Sequence, residues 1–583
     1  MEATSIAFPG FTNLSATIGS RLLKRSLSSS VAVGGKQQPL SRLLKPTIHV
    51  CRNLGRGLNV RSASISRDAP VTTSSGLPLK EVPGSYGLPF FGAFFDKMAF
   101  YWTEGTPHYY ENRMAQHKST VYRMNTVPGP PFFPDPRVIV LLDQKSYRTL
   151  FDVDKVDKKD AFVGTFVPDV AFTGGYRVLA YLDPLEEKHT ILKSFCFEIL
   201  KSSGRRVFPE FHKALSEVFV QWETGLEKNG KVKFNEALSV GTVSFNFRAL
   251  LNADPTDPDT KATLGKDAAS IIKSWIIPQI IPLSVIRLPI FLKLALAPFI
   301  ELLFHTFPMP YSLVKTKHQK IVAFFRENAK ETLDMAEKQF GLDREEALHN
   351  LLFYTCFNAW GGINFLFPAI VSRLGSTSEE FQRELSAEVR KAIEDNGGLN
   401  PAALNSMPLV QSAVYEVFRT DPPVAYQYGR AKKDLIIESH DAAFQVKKGE
   451  MLAGYMPLAH RDPKVFADPE VFNPKRFLGE KGQKLVQYVI WSNGPQTETP
   501  SAHNKQCPGK DFITTIANLL VAEIYSTYEM LKADGDTLVS VKQVSVCRVI
   551  LGHALERQFF SLKSCVGTCS SERNASGSWL SSG

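Results

Sequence analysis

NGPQTETPSAHNKQCPGKDF, Asn493 to Phe512, sets one cysteine in a loop of glycines, prolines and polar residues that runs straight into an apolar segment. A lone thiol in such a place is a candidate ligand. The turn at Gly509 into a helix expected over Asp511 to Tyr525 aims backbone N–H groups at the sulfur and favours its ionised form. Upstream, LVQSAVYEVFRTDPP predicts a helix stopped by Pro422 and Pro423, with Glu416 and Arg419 three apart on one face. An isolated pair of this kind is usually a solvated surface contact. Here PKRF, Pro474 to Phe477, follows it, and the cysteine loop follows in turn. The combination carries the weight.

ExxR, then PxRF, then C-P-G at Cys507 to Gly509, in that order near the C-terminal end, resembles the haem-thiolate cytochrome P-450 superfamily. The resemblance implies a mainly α fold with small β-sheets. It makes Cys507 the axial thiolate ligand of haem b iron, with Glu416, Arg419 and Arg476 as a buried salt-bridge cluster behind the haem. The loop departs from the ordinary pattern, since Gly494 and Cys507 stand thirteen positions apart and Lys505 occupies a place where arginine is common. WSNGPQTETP, NKQC and GKDF are similar to the plant branch that metabolises fatty-acid hydroperoxides: allene oxide synthases, hydroperoxide lyases and divinyl ether synthases. PGSYGLPFFG, STVYR, LFDVDKVDKKDAF, TGGYRVLAYLDP and YGRAKKDLIIESHDAAF extend the likeness over roughly residues 80 to 530.

The residues of the longest helical pattern point the same way. DREEALHNLLFYTCFNAWGGINFLFPAIVSRLG opens with Asp343 and Glu346 in capping-box spacing and closes at Gly375, which predicts a helix of about thirty residues. Gly361 and Gly362 at its centre each weaken a helix by roughly 1 kcal/mol relative to alanine, so a flat cofactor, a neighbouring backbone or a local distortion is expected there. A monooxygenase that splits bound dioxygen commonly keeps an acid and a threonine side by side at mid-helix to deliver protons. This helix reads Asn358-Ala359-Trp360-Gly361-Gly362-Ile363-Asn364, with neither. Oxygen activation is therefore disfavoured. A substrate that already contains an O–O bond needs no such relay, no reductase and no nicotinamide.

The resemblance implies further roles. Asn358 lies over the iron and hydrogen-bonds the peroxide, and Phe162, at the end of the KKD-x-F stretch, stands where hydroperoxide lyases usually have leucine. An aromatic face there can steady a radical or cation and favour allene oxide over C–C scission. Lys158, His189, Lys193 and Lys505 are expected to bind the haem propionates. Lys158 and Phe162 are four apart, as are His189 and Lys193, so each pair is expected to share a helix face. Asn364 and Ala425 depart from the residues many relatives carry. The activity implied is a haem-thiolate hydro-lyase that converts polyunsaturated fatty-acid hydroperoxides to allene oxides. The alternatives are a hydroperoxide lyase and a haem-binding lipid-surface protein of low turnover.

The 583 residues carry a net charge of +10, but residues 1 to 67 hold ten Lys or Arg against the single acid Glu2, or +9, leaving about +1 for the rest. A nucleic-acid partner is excluded on that distribution. Eleven serines in the same 67 residues, with SLSSS at Ser26 to Ser30, predict a plastid or mitochondrial transit peptide, and the resemblance to the plant branch implies the plastid. A linker over 68–79, a catalytic domain over 80–540 and a divergent, disordered tail over 541–583 are expected to follow. Seven scattered cysteines argue against a disulfide framework. Ile276 to Phe307 is apolar but interrupted by four prolines, Arg287 and Lys293, which suits a segment resting on the plastid membrane surface or lining a greasy channel.

Overall fold

The computed structural model describes residues 6–7, 72–125, 135–281, 285–286, 290–305 and 307–543. All but two residues of the expected transit peptide and all but three of the tail fall outside them. The capping box forms as its spacing predicts: the Asp343 carboxylate accepts the Glu346 backbone N–H at 2.9 Å. Helix Arg344–Leu352 starts there, and the helical run closes with Gly361–Gly375. Between the two, Phe353–Trp360 is a π-helix, a widened stretch of the kind that concentrates at functional sites.

The neighbouring helix Phe234–Leu251 pins this widened stretch. Asn246 Nδ2 donates to the Thr355 carbonyl at 2.7 Å, and Trp360 Nε1 donates to the Ser239 carbonyl at 3.1 Å. The paired glycines do not serve close backbone packing. A Cβ on Gly362 would meet nothing within 4 Å, and one on Gly361 would lie 3.7 Å from the Cys356 carbonyl, an ordinary contact. Of the expectations for the pair, neighbouring backbone is ruled out; open space and a distorted helix are what the glycines border.

Helices surround this spine. Glu187–Asn229, 43 residues with Pro209 inside, runs along Phe234–Leu251, and their approach is close enough that a Cβ on Gly241 would sit 2.5 Å from Val218 Cγ2. The helix after the cysteine loop, Lys510–Thr527, packs on Pro408–Thr420, on Glu379–Asp395 and on Gly361–Gly375. Their shared core includes Val218, Phe367, Ile370, Val414, Phe418 and Leu519. Each such side chain, fully removed from water, stabilises the fold by about 1.5–3 kcal/mol.

Val121–Asn125 and Arg137–Leu141 pair antiparallel, Val121 opposite Leu141, at the edge of a five-stranded mixed sheet. In that sheet Arg137–Leu141 lies parallel to Met451–Tyr455, which pairs in turn with Tyr426–Ala431 and then Val156–Asp157. The hairpin Tyr528–Asp534 with Thr537–Gln543 carries the chain to the edge of the tail and pairs with Val232–Lys233. Small sheets at the flanks of a helical body match the expected fold class.

Candidate functional site

Cys507 lies in the loop immediately before Lys510–Thr527, with Gly509 at the helix N-cap. Its thiol is pushed up by burial and drawn back by the Gly509 backbone N–H, the Lys193 ammonium and the nearby Trp491 side chain. The insertion in this loop is held from inside the fold. Lys193 donates to Asn504 Oδ1 at 3.0 Å, and Lys505 donates to the Leu179 and Ala180 carbonyls at 2.9 and 3.2 Å. Gln506 Nε2 donates to the Pro495 carbonyl at 2.7 Å.

Lys158, Lys193 and Lys505 form one cationic cluster with the buried His189. Lys158 donates to the Tyr428 carbonyl at 2.8 Å, and its charge is felt against that of Lys505, which in turn is felt against Lys193. Among the described residues none of the three forms an ion pair. Burial first, and then Lys505 for Lys158 and Lys193 for Lys505, lowers Lys158 and Lys505 to about 7, and burial lowers Lys193 to about 8. His189 is driven to about 3 by burial and by Lys505 and Lys193, and its Nδ1 has no hydrogen-bond partner. Asp183 acts on Lys158, Lys505 and His189 without forming an ion pair with them, and three lysines and a histidine this deep suit a dianionic group.

His189 and Lys193 share a face of Glu187–Asn229 as their spacing predicts. Lys158 and Phe162 do not. Their segment is an irregular turn with Asp160 at φ 49°, tied down by Lys158 N–H to Asp183 Oδ2 at 2.7 Å and Asp160 N–H to the Tyr181 carbonyl at 2.9 Å. The i, i+4 rule applies only inside a helix, and here a left-handed residue turns the chain instead.

Phe162 nonetheless reaches the site. Its ring lies edge-on to Tyr181 at 5.6 Å and to Phe357 at 6.1 Å, and Tyr181 follows the two carbonyls that receive Lys505. Phe357 stacks on Phe353 at 4.5 Å along the π-helix. The next residue, Asn358, is exposed, although Thr355, Cys356 and Trp360 around it are buried. Its amide makes no hydrogen bond among the described residues. An exposed amide in the middle of the molecule, beside glycines whose Cβ positions are free, marks an open face of the central helix.

Behind the loop, Glu416 and Arg419 make a fully buried bidentate pair, 2.8 Å for each contact, and Arg476 Nε joins Glu416 at 3.1 Å. The triad expected from ExxR and PxRF is present. Sequence reading missed Trp491, although it stands in the quoted WSNG, and it missed the π-helix, for which the paired glycines were the only signal.

A buried thiol with converging donors, a buried cationic cluster, and a helix with an open, glycine-bordered face fit an iron porphyrin with two propionates. These features define a haem-thiolate protein. The cytochrome P450 family model matches residues 376–549. An allene oxide synthase, chloroplastic, of Arabidopsis thaliana is 48% identical over 474 residues, covering 80% of this chain and 89% of that protein. An allene oxide synthase 1, chloroplastic, of Solanum lycopersicum is 44% identical over 80% of this chain and 85% of its own. A divinyl ether synthase of Selaginella moellendorffii is 43% identical over 80% and 94%. The chain belongs to the cytochrome P450 family, in the branch that holds the allene oxide synthases, and its cofactor is thiolate-ligated haem.

The lysine cluster sets a pH dependence. Lys158, Lys193 and Lys505 are lowered in the folded protein from an ordinary 10.5 to about 7, 8 and 7. Between about pH 7 and 10.5 the unfolded chain therefore binds more protons, and stability of the haem-stripped protein rises with pH across that window. Propionates held at the cluster would restore the charges, and the expected result is a flatter slope with haem bound. Urea unfolding at pH 7.5 and 9.5, with and without haem, reads the difference; equal slopes would remove the cluster from propionate binding.

Proposed function

We propose that the protein is a hydroperoxide dehydratase that converts polyunsaturated fatty-acid hydroperoxides to allene oxides. The conversion removes one water and is redox-neutral overall, so it needs no reductase, nicotinamide or dioxygen. Bound haem supplies the one-electron chemistry that opens the peroxide O–O bond. Cys507 provides the axial sulfur, and Lys158, His189, Lys193 and Lys505 hold the propionates. Asn358 donates its amide N–H to the peroxide from the open face of the central helix, orienting the bond to be broken. The observation that carries this reading is that exposed amide, in a helix whose centre offers no acid and threonine pair to deliver protons to dioxygen.

Phe162 selects the product. Its contact with Phe357, one residue from Asn358, supports placing its ring beside the reacting carbons, where an aromatic face steadies the carbon-centred species until a proton is lost. Without the ring, C–C scission competes, which is the hydroperoxide lyase outcome. Purified protein given linoleate- and linolenate-derived hydroperoxides yields ketols or cyclopentenones from the allene oxide. Phe162→Leu shifts the mixture toward short aldehydes, by about 10-fold or more in their ratio for a loss of 1.4 kcal/mol of discrimination. No consumption by wild type overturns the function; an unchanged mixture in the variant overturns only the role of Phe162.

The enzyme works in the plastid, a location supported by the Ser- and Arg-rich N-terminus and by the chloroplastic relatives. It rests there on the membrane surface. Among the described residues no helix is long and apolar enough to cross a membrane. Two touching helices instead turn apolar side chains outward: Phe91 and Phe95 on Phe91–Met98, and Phe299, Leu302 and Leu303 on Ile290–Phe304. The inward side of the second buries Ala297 and Ile300 in the core and carries Glu301, which accepts from Trp102 Nε1 at 3.1 Å and is paired with His305 at 2.7 Å. Those contacts fix which face points out. Phe299→Glu with Leu303→Glu lowers co-sedimentation with galactolipid vesicles at least several-fold; undiminished binding would remove this surface from the interface.

A further inference from the structure

Phe162 is one corner of a closed ring of four aromatic side chains. It meets Phe357 edge-on at 6.1 Å and Tyr181 edge-on at 5.6 Å, while Phe357 stacks on Phe353 at 4.5 Å and Phe353 returns to Tyr181 edge-on at 6.0 Å. Tyr181 and Phe353 are buried, whereas Phe162 and Phe357 are half-buried. Besides Phe162 itself, Phe357 is therefore the corner with room to turn, and it precedes Asn358 in the chain.

A fifth ring braces that corner from another helix. Trp275, on Ala268–Ile280, is completely buried and meets both Phe353 and Phe357 edge-on, at 6.3 Å each. Its indole is held in turn by two further segments: Nε1 donates to the Phe172 carbonyl at 3.0 Å, and the ring stacks on His318 at 5.7 Å with the planes 9° apart. His318 is tied through Nδ1 to the Tyr311 hydroxyl at 2.9 Å. Ile276, the next residue, comes within 3.9 Å of the Cβ position of Gly361, so this helix also borders the open face of the central helix.

We infer that Trp275 is a positioning residue for product choice: by bracing Phe357 it keeps the Phe162 ring where it acts on the reacting carbons. This rests on the proposed dehydratase function and on the role given there to Phe162. Edge-to-face ring pairs are directional, so a ring held on its edges has a favoured orientation. An aliphatic side chain of similar volume fills the same space without setting an angle. The contribution of Trp275 is thus set by its aromatic character and not by its bulk alone.

The test uses the haem-loaded full chain and a linolenate-derived hydroperoxide. Trp275→Leu raises the ratio of short aldehydes to ketols and cyclopentenones by about 2- to 10-fold, the range expected for one edge contact. Trp275→Phe keeps an edge for Phe357, loses the N–H bond to Phe172, and returns the ratio to near that of wild type. In a Phe162→Leu background the Trp275→Leu change adds nothing, because the residue acts through that ring. A general loosening of the core would shift the ratio equally in both backgrounds. That additivity overturns the inference, as does an unchanged ratio in Trp275→Leu. Should Trp275→Leu fail to retain haem, Trp275→Met, which fills irregular space without a ring, carries the same expectations. Wild-type protein that consumes no hydroperoxide overturns the function itself, so the two failures are separable.

Discussion

Cys507→Ser protein consumes lipid hydroperoxide at least ~10³-fold more slowly than wild type, and its reduced carbon monoxide complex loses the sulfur-ligated Soret band. Its far-ultraviolet circular dichroism is unchanged. The separation of these outcomes follows from how the loop is held. Three side chains tether the loop without using the sulfur: Gln506 Nε2 to the Pro495 carbonyl, Lys193 to Asn504, and Lys505 to the Leu179 and Ala180 carbonyls. The Cys507 carbonyl accepts the Lys510 N–H at 3.2 Å, a bond the serine keeps. Serine is smaller by one row of the periodic table and is otherwise the same shape, so the cradle survives while its ligand becomes a poor donor. Retained hydroperoxide consumption would mean that the sulfur is not the functional ligand, and the proposed chemistry would fall with it.

Much of this arrangement could be read from residue order because it depends on short, local rules. The capping box at Asp343 and Glu346 works through one backbone N–H three residues away, and the Glu416–Arg419 pair works through one helical turn. Cys507 was legible because a thiol in a polar loop ahead of a helix has few structural reasons to be there. The Lys158 and Phe162 pairing failed because a helical spacing was applied to a turn that Asp160 makes left-handed. The π-helix at Phe353–Trp360 depends on a slipped hydrogen-bond register that Asn246 and Trp360 stabilise across an interhelical contact, and the paired glycines signal a distortion there without specifying its kind. Trp491 was invisible for the same reason: it comes beside the cysteine loop only because a hairpin folds back onto Gln506.

Glu416→Gln costs about 3–5 kcal/mol of folding stability and lowers the fraction of protein that retains haem, although Glu416 touches no substrate or cofactor. The carboxylate is fully buried, and every one of its contacts is a donor: Arg419 Nε and NH2 at 2.8 Å each, Arg476 Nε at 3.1 and 3.2 Å, and the Asn473 N–H at 2.8 Å. Arg419 is equally buried and spends its remaining N–H groups on the His460, Pro469 and Val471 carbonyls. A glutamine of the same length leaves a buried guanidinium without its counter-charge and turns an amide N–H toward two cations. Removing one member of a buried, fully satisfied ion pair is far more costly than never having built it. The damage reaches the site through Phe418, which lies between Glu416 and Arg419 in sequence and backs Trp491 at 4.7 Å. Arg419→Lys is expected to fail as well, because an ammonium cannot reproduce the bidentate fork and the three carbonyl contacts together. Urea unfolding of the haem-loaded variants measures the loss; a change of less than about 1 kcal/mol in Glu416→Gln would show that the triad is dispensable to the fold that presents Cys507.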